Sequence, residues 1–136
     1  MRPERDHMIN EQERALIGTV RAYANDDPEL RAAEDHATGS LQFEVALAGG
    51  RRVVDFGEIA LHEVSALSGP QRAAAVAKLF ARSARWPAGR ADVRCLRNVV
   101  EMPSMNEICE IAVFVGNAPV SDGVRITTPL RANASS

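Results

Sequence analysis

Residues 68 to 85 read SGPQRAAAVAKLFARSAR. This stretch decides the fold, because it carries the plainest helix signals in the chain. Ser68 stands at an N-cap position with Gln71 three residues on, the spacing of a capping box. Gly69 and Pro70 fall in the first turn, where a missing N–H does no harm. Ala73, Val76, Ala77, Phe80 and Ala84 recur at helical spacing and predict one apolar face. Gln71, Lys78, Arg82 and Arg85 fall on the opposite side, and the bases lie late, where the helix dipole favours positive charge. The small side chains of the apolar face suit close packing on a sheet. Phe80 is the expected anchor, since burying a large apolar side chain is worth ~1.5–3 kcal/mol.

Working outward, the period changes from helical to alternating. Upstream, Leu41, Phe43, Val45 and Leu47 alternate with Gln42, Glu44 and Ala46, the pattern of a half-buried strand. Gly49-Gly50 is a tight turn signal, and Arg51 to Phe56 returns as a second strand, so the segment predicts a hairpin. Residues 57 to 67 fit a helix through Ile59, Ala60, Glu63, Val64 and Leu67, with Asp55 and Glu58 at capping-box spacing; a strand is the alternative. Downstream, Ala91 to Met102 reads as a strand. In Ser104 to Val115, a capping-box spacing argues helix and the β-branched run Ile108, Ile111, Val113 and Val115 argues strand. Strand is chosen, with Met102-Pro103-Ser104-Met105 as the hairpin loop and Val124 to Thr128 as a last edge strand.

At the N-terminal side, residues 1–8 form a polar lead-in. Asn10 and Glu13 then open a helix carrying Leu16, Val20 and Tyr23. Asn25-Asp26-Asp27-Pro28 ends it, and a short polar helix is expected from about Pro28 to Ala37. Residues 131–136 read as a disordered tail, which leaves 9–130 as a single domain. The expected fold is α+β: an antiparallel sheet of two hairpins with helices packed on one face.

A chain of 136 residues with 46% hydrophobic content can bury a real core, whereas 4% aromatic content leaves few stacking platforms for single-stranded nucleic acid. The net charge of −2 conceals a division. Residues 1–63 hold thirteen acids against seven bases, and residues 70–98 hold seven bases against Asp92 alone. The two halves either neutralise each other or leave a basic surface for an acidic partner. Only one base, Lys78, is lysine. Arg enrichment also follows from the codon usage of a GC-rich genome, so it is not counted as a phosphate signal.

Motifs for chemistry are sparse. Cys95 and Cys109 are isolated in apolar runs without a CxxC pair, so neither zinc nor a redox motif is supported. His62-Glu63 lacks the second histidine of HExxH, as Ala66 stands there. Asp55 with His62 is the acid–base couple to test, as the site of a small enzyme; Asp35-His36 has the same status, in an expected polar helix with no partner. No GxSxG, GxGxxG or P-loop pattern occurs. No cofactor or metal is expected, nor is an apolar run long enough to cross a membrane. A cytoplasmic location is therefore expected.

The sequence thus predicts a non-enzymatic binding or regulatory domain, of the adaptor, inhibitor or chaperone-like kind, acting through a basic helical face. Arg72, Lys78, Arg82 and Arg85 are the candidate contact residues. The expected partner is a protein or a second copy in a homodimer. Nucleic acid is the alternative partner, through a degenerate helix-turn-helix at 57–85 joined by Leu67-Ser68-Gly69.

Overall fold

A computed structural model describes residues 9–31 and 39–129. The expected lead-in 1–8, most of the short helix expected up to Ala37, and the tail 131–136 lie outside the described residues.

Helix α1 spans Glu11–Ala24. Its capping box forms as the spacing predicts: Asn10 Oδ1 accepts from the Glu13 N–H at 2.7 Å, and Glu13 Oε1 accepts from the Asn10 N–H at 3.0 Å. It ends at Asn25 in the left-handed conformation, a residue type that tolerates it. The short helix expected after Pro28 does not begin there. Glu29–Leu30 is instead a two-residue strand, β1, paired with Glu44 and Phe43. Its only large apolar residue is half-exposed Leu30. A segment with so little to bury gains more from extending an existing edge than from nucleating a helix.

β2 (Leu41–Leu47) and β3 (Gly50–Phe56) form the first hairpin, in register from Leu41↔Phe56 to Leu47↔Gly50. Gly49 is required by close approach: a Cβ there would lie 2.8 Å from the Ser83 carbonyl oxygen. Two helices follow, α2 (Glu58–Ser65) and α3 (Gly69–Phe80). They make the crossover that allows β3 to pair in parallel with β4 (Ala91–Glu101), through Val54↔Ala91 to Phe56↔Val93. β4 and β5 (Asn106–Val115) form the second hairpin, with a bulge between Cys95 and Arg97. β6 (Ala118–Pro119) pairs with the end of β5, and β7 (Val124–Pro129) pairs with Asn106–Ile111. The result is an α+β fold: among the described residues, a largely antiparallel sheet built on two hairpins has three α-helices against it.

The helices cover one face. Phe43, Val45, Val54, Phe56, Val93, Ile111 and Val113 meet Leu16, Val20, Ala60, Val64, Val76, Leu79 and Phe80 in one core. The other face carries Glu44, Asp55, Asp92, Arg94, Arg97, Glu110 and Arg125 and is laced with ion pairs.

Two expectations for the deciding stretch change. The buried face of α3 is Ala75, Val76, Leu79 and Phe80, whereas Ala73, Ala77 and Ala84 are exposed. Alanine burial is worth little, so Leu79 and Phe80 set the rotation of the helix. The α-helix also stops at Phe80 rather than at Arg85, and Ser83–Arg85 form a 3-10 turn. Pro87 disfavours helix at Trp86, which is extended, and the tighter turn drops the Trp86 ring onto Phe80 at 6.1 Å. A further small correction concerns α2. Its N-cap is Gly57, so Asp55 and Glu58 do not form a capping box; Asp55 is already the penultimate residue of β3.

No described helix is long and apolar enough to cross a membrane.

Candidate partner-binding surface

The four candidate contact residues have different fates. Arg72 faces inward. Its Nε donates to Thr19 Oγ1 at 2.7 Å, and its Nη1 donates to the carbonyl oxygens of Leu67 at 2.9 Å and Ser65 at 3.4 Å. It staples α3 to α1 and closes the α2–α3 turn. Arg82 lies 3.5 Å from Asp122, in an exposed ion pair worth little. Lys78 and Arg85 are exposed, and no acid pairs with either among the described residues. The structure therefore brings Lys78 and Arg82 to the side of α3 nearest β7, leaves Arg85 on the 3-10 turn, and commits Arg72 to the fold.

The question of which acids neutralise the basic segment has a clear answer. Asp92 pairs with Arg90 at 2.8 Å and with Arg94 at 3.4 Å, Asp122 with Arg82, and Glu110 lies 4.0 Å from Arg97 while pairing more closely with Arg125 outside the segment. These acids belong to the C-terminal part of the chain. The N-terminal acids pair with their own arginines: Asp26 and Glu44 with Arg51, and Glu44 with Arg31. The Ala46 N–H, which donates to Asp26 at 3.1 Å, and then Arg51 hold the Asp26 carboxyl below the ordinary carboxylate range. A cavity of about 460 Å³ beside Arg31, Arg51, Arg52 and Arg90 is therefore less basic than its composition. Arg52 there donates to the Pro87 and Gly89 carbonyls and stacks over Trp86.

Lys78 stands on the wall of a different groove, of about 430 Å³, between α3 and β7. Leu67, Gln71, Ala74 and Ala75 line one side, and Val124 to Thr127 line the other. Val124 and Ile126 turn inward and are buried, so the groove has an apolar floor and a cationic rim. β7 hydrogen-bonds to β5 on one side only among the described residues, which leaves its outer edge open beside the groove. Sequence reasoning found the basic residues but missed the groove, because Val124–Thr128 signals a strand without signalling which element flanks it.

The chemical candidates do not converge. Asp55 sits between buried Val54 and Phe56 on β3, so its carboxylate faces the side of the sheet away from the helices, where Gln42 Nε2 donates to it at 3.0 Å. His62 is on α2, with Nδ1 3.4 Å from Gln12 Nε2. The sulfurs of Cys95 and Cys109 lie 3.2 Å apart across the hairpin. Burial, then the Cys95 contact and the charges of Glu63 and Glu107, push the Cys109 thiol far up, so the site holds it as a weak nucleophile.

Glu63 is the unexpected residue here. It is buried on α2, and burial followed by the nearby Glu107 charge raises its carboxyl, with His62 opposing. A raised folded-state value means that protonation favours the fold. That stabilisation is full below the ordinary carboxylate pKa and is lost as pH rises through the raised one. Glu63→Gln should therefore be more stable than wild type at neutral pH, with the difference vanishing in acid. Urea melts of both proteins across that range check it; equal stability at neutral pH would contradict the burial argument.

The chain matches no family model, no curated protein and no solved structure.

Proposed function

We propose that the protein is a small, non-enzymatic, cytoplasmic binding domain that takes up an extended acidic segment of a partner protein along the β7 edge, beneath the basic side of α3. The observation that carries this reading is the groove between α3 and β7, with Lys78 on its wall and Val124 and Ile126 at its floor. Strand addition to an open edge supplies main-chain hydrogen bonds, and the flanking groove selects alternate side chains. Alternate residues of an added strand face opposite sides of the sheet, so in a segment alternating acidic and β-branched residues the carboxylates on the groove side meet Lys78 and Arg82, and the β-branched residues between them favour the extended conformation. Arg85 extends the same positive field past the helix end, whereas Arg72 contributes through the fold alone.

The test is a fluorescence anisotropy titration of the full chain with a labelled peptide of alternating Val and Glu. Lys78→Glu/Arg82→Glu should weaken binding at least about tenfold, since two favourable pairs become repulsive. A Val/Lys peptide should not bind, and duplex DNA should not compete at physiological salt. Equal affinity of the double variant, or no binding of the Val/Glu peptide to wild type, would sink the proposal. Tight, steeply salt-dependent DNA binding would favour the helix-turn-helix alternative instead.

A further inference from the structure

A second surface stands apart from the β7 groove. Beyond Val93, β4 has no strand partner on the side away from β5 among the described residues, because β3 turns off at Phe56 and the Gly57 N–H makes the last bond, to the Val93 carbonyl at 3.0 Å. β4 continues for another eight residues, to Glu101, paired with β5 on its inner side and with no described strand on its outer side. That overhang is apolar for an exposed strand: Leu96 is 53% exposed, Val100 46% and Val99 37%, with Met102 and Met105 at the tip. Open, exposed, β-branched edges are what proteins usually blunt with charge, bulges or cover.

Here the bulge protects only part of the edge. It lies between Cys95 and Arg97, and the pairing from Arg97↔Glu110 to Glu101↔Asn106 is regular again. Two copies pairing through Arg97–Glu101 about a two-fold axis normal to the sheet must set residues of the same pleat phase opposite each other. The register centred on Val99 does so. It sets Val99 against its own copy, Asn98 against Val100, and Arg97 against Glu101 twice. Arg97, Val99 and Glu101 share the face away from the helices, so the two ion pairs flank the valine pair on one surface. Moving the centre to Asn98 or Val100 sets Arg97 or Glu101 opposite valine instead. Among the described residues neither charge is tightly held: Arg97 lies 4.0 Å from Glu110, and the Glu101 carboxylate accepts from the Ser104 hydroxyl at 3.3 Å.

We infer that the protein forms a two-fold homodimer by antiparallel pairing of the exposed β4 edge, centred on Val99, with Arg97 and Glu101 exchanged between copies. The resulting sheet is continuous across the axis and leaves each β7 edge open at its far end.

Analytical ultracentrifugation of the full chain tests this. Wild type should sediment as a dimer. Arg97→Glu sets two carboxylates opposite Glu101 and should weaken dimerisation about tenfold or more. Arg97→Glu/Glu101→Arg restores opposite charge in the same register and should recover the dimer. Both positions are exposed, and circular dichroism should show unchanged folds. A monomeric wild type, an undiminished Arg97→Glu dimer, a monomeric charge-swapped double variant, or a dimer dissolved by Lys78→Glu would each overturn the inference. Peptide affinity is read in a separate assay, so failure here is distinguishable from failure of the proposal for the β7 groove.

Discussion

Phe80→Asp should not fold cooperatively. Phe80 is fully buried and lies where the core elements converge. Its ring centroid is 6.0 Å from Tyr23 of α1, 6.4 Å from Phe56 of β3 and 6.1 Å from Trp86 beyond α3, all in edge-on geometry. The guanidinium that touches this ring cluster, Arg52, is already held over Trp86 and on two carbonyls. An unpaired buried charge costs several kcal/mol on top of the lost packing. Phe80→Ala isolates the packing part, at about 3–5 kcal/mol. Against a total of roughly 5–15 kcal/mol for a domain of this kind, the alanine variant should still fold and melt at much lower urea. Circular dichroism melts of both variants check this. A Phe80→Asp protein melting cooperatively near wild type would mean that α3 does not organise the core.

Arg72→Ala should cost about 2–4 kcal/mol, far more than a surface arginine. Three acceptors on two elements depend on its guanidinium, and hydrogen bonds to charged groups are worth about 1.5–3 kcal/mol each, though not additively. Lys78→Ala, further along the same helix, should stay within about 0.5 kcal/mol of wild type. The pair separates a base that builds the fold from one that faces solvent. Arg72→Lys should not rescue, because an ammonium cannot span Thr19 Oγ1 and the Leu67 carbonyl as the planar fork does. Chemical denaturation gives the difference directly; an Arg72→Ala protein as stable as Lys78→Ala would remove the staple from the account.

What the sequence discloses follows the locality of each signal. The α1 capping box, the β2–β3 hairpin and the α2 and β5 assignments rest on neighbours a few residues apart, and local chemistry settles them. β5 is the instructive case: Ser104 and Glu107 have capping spacing, but Ser104 instead donates to Glu101 within the hairpin turn, and the β-branched run prevails. The signals that fail are those decided by distant partners. Glu29–Leu30 becomes a strand because β2 offers an edge. α3 presents Ala75 and Leu79 rather than Ala73 and Ala77, because the sheet and α1 are met by the larger side chain. The parallel β3–β4 pairing leaves no local trace, yet it ends at Val93 and so creates the exposed β4 edge. At the binding surface, charge was legible as a run of bases. Which guanidiniums are spent on carbonyls, which on acids, and which flank a groove is a property of three-dimensional neighbours alone.

The proposed pairing of an extended acidic segment with β7 beneath α3 can be read at single amides. Amide hydrogen exchange of the full chain, measured with and without the Val/Glu peptide, should show slowed exchange at amides within Val124–Thr128 that face the open edge, with smaller effects along the Gln71–Lys78 side of α3. Protection confined to Arg94–Glu101, or spread over the α2–α3 turn while β7 is unchanged, would contradict it.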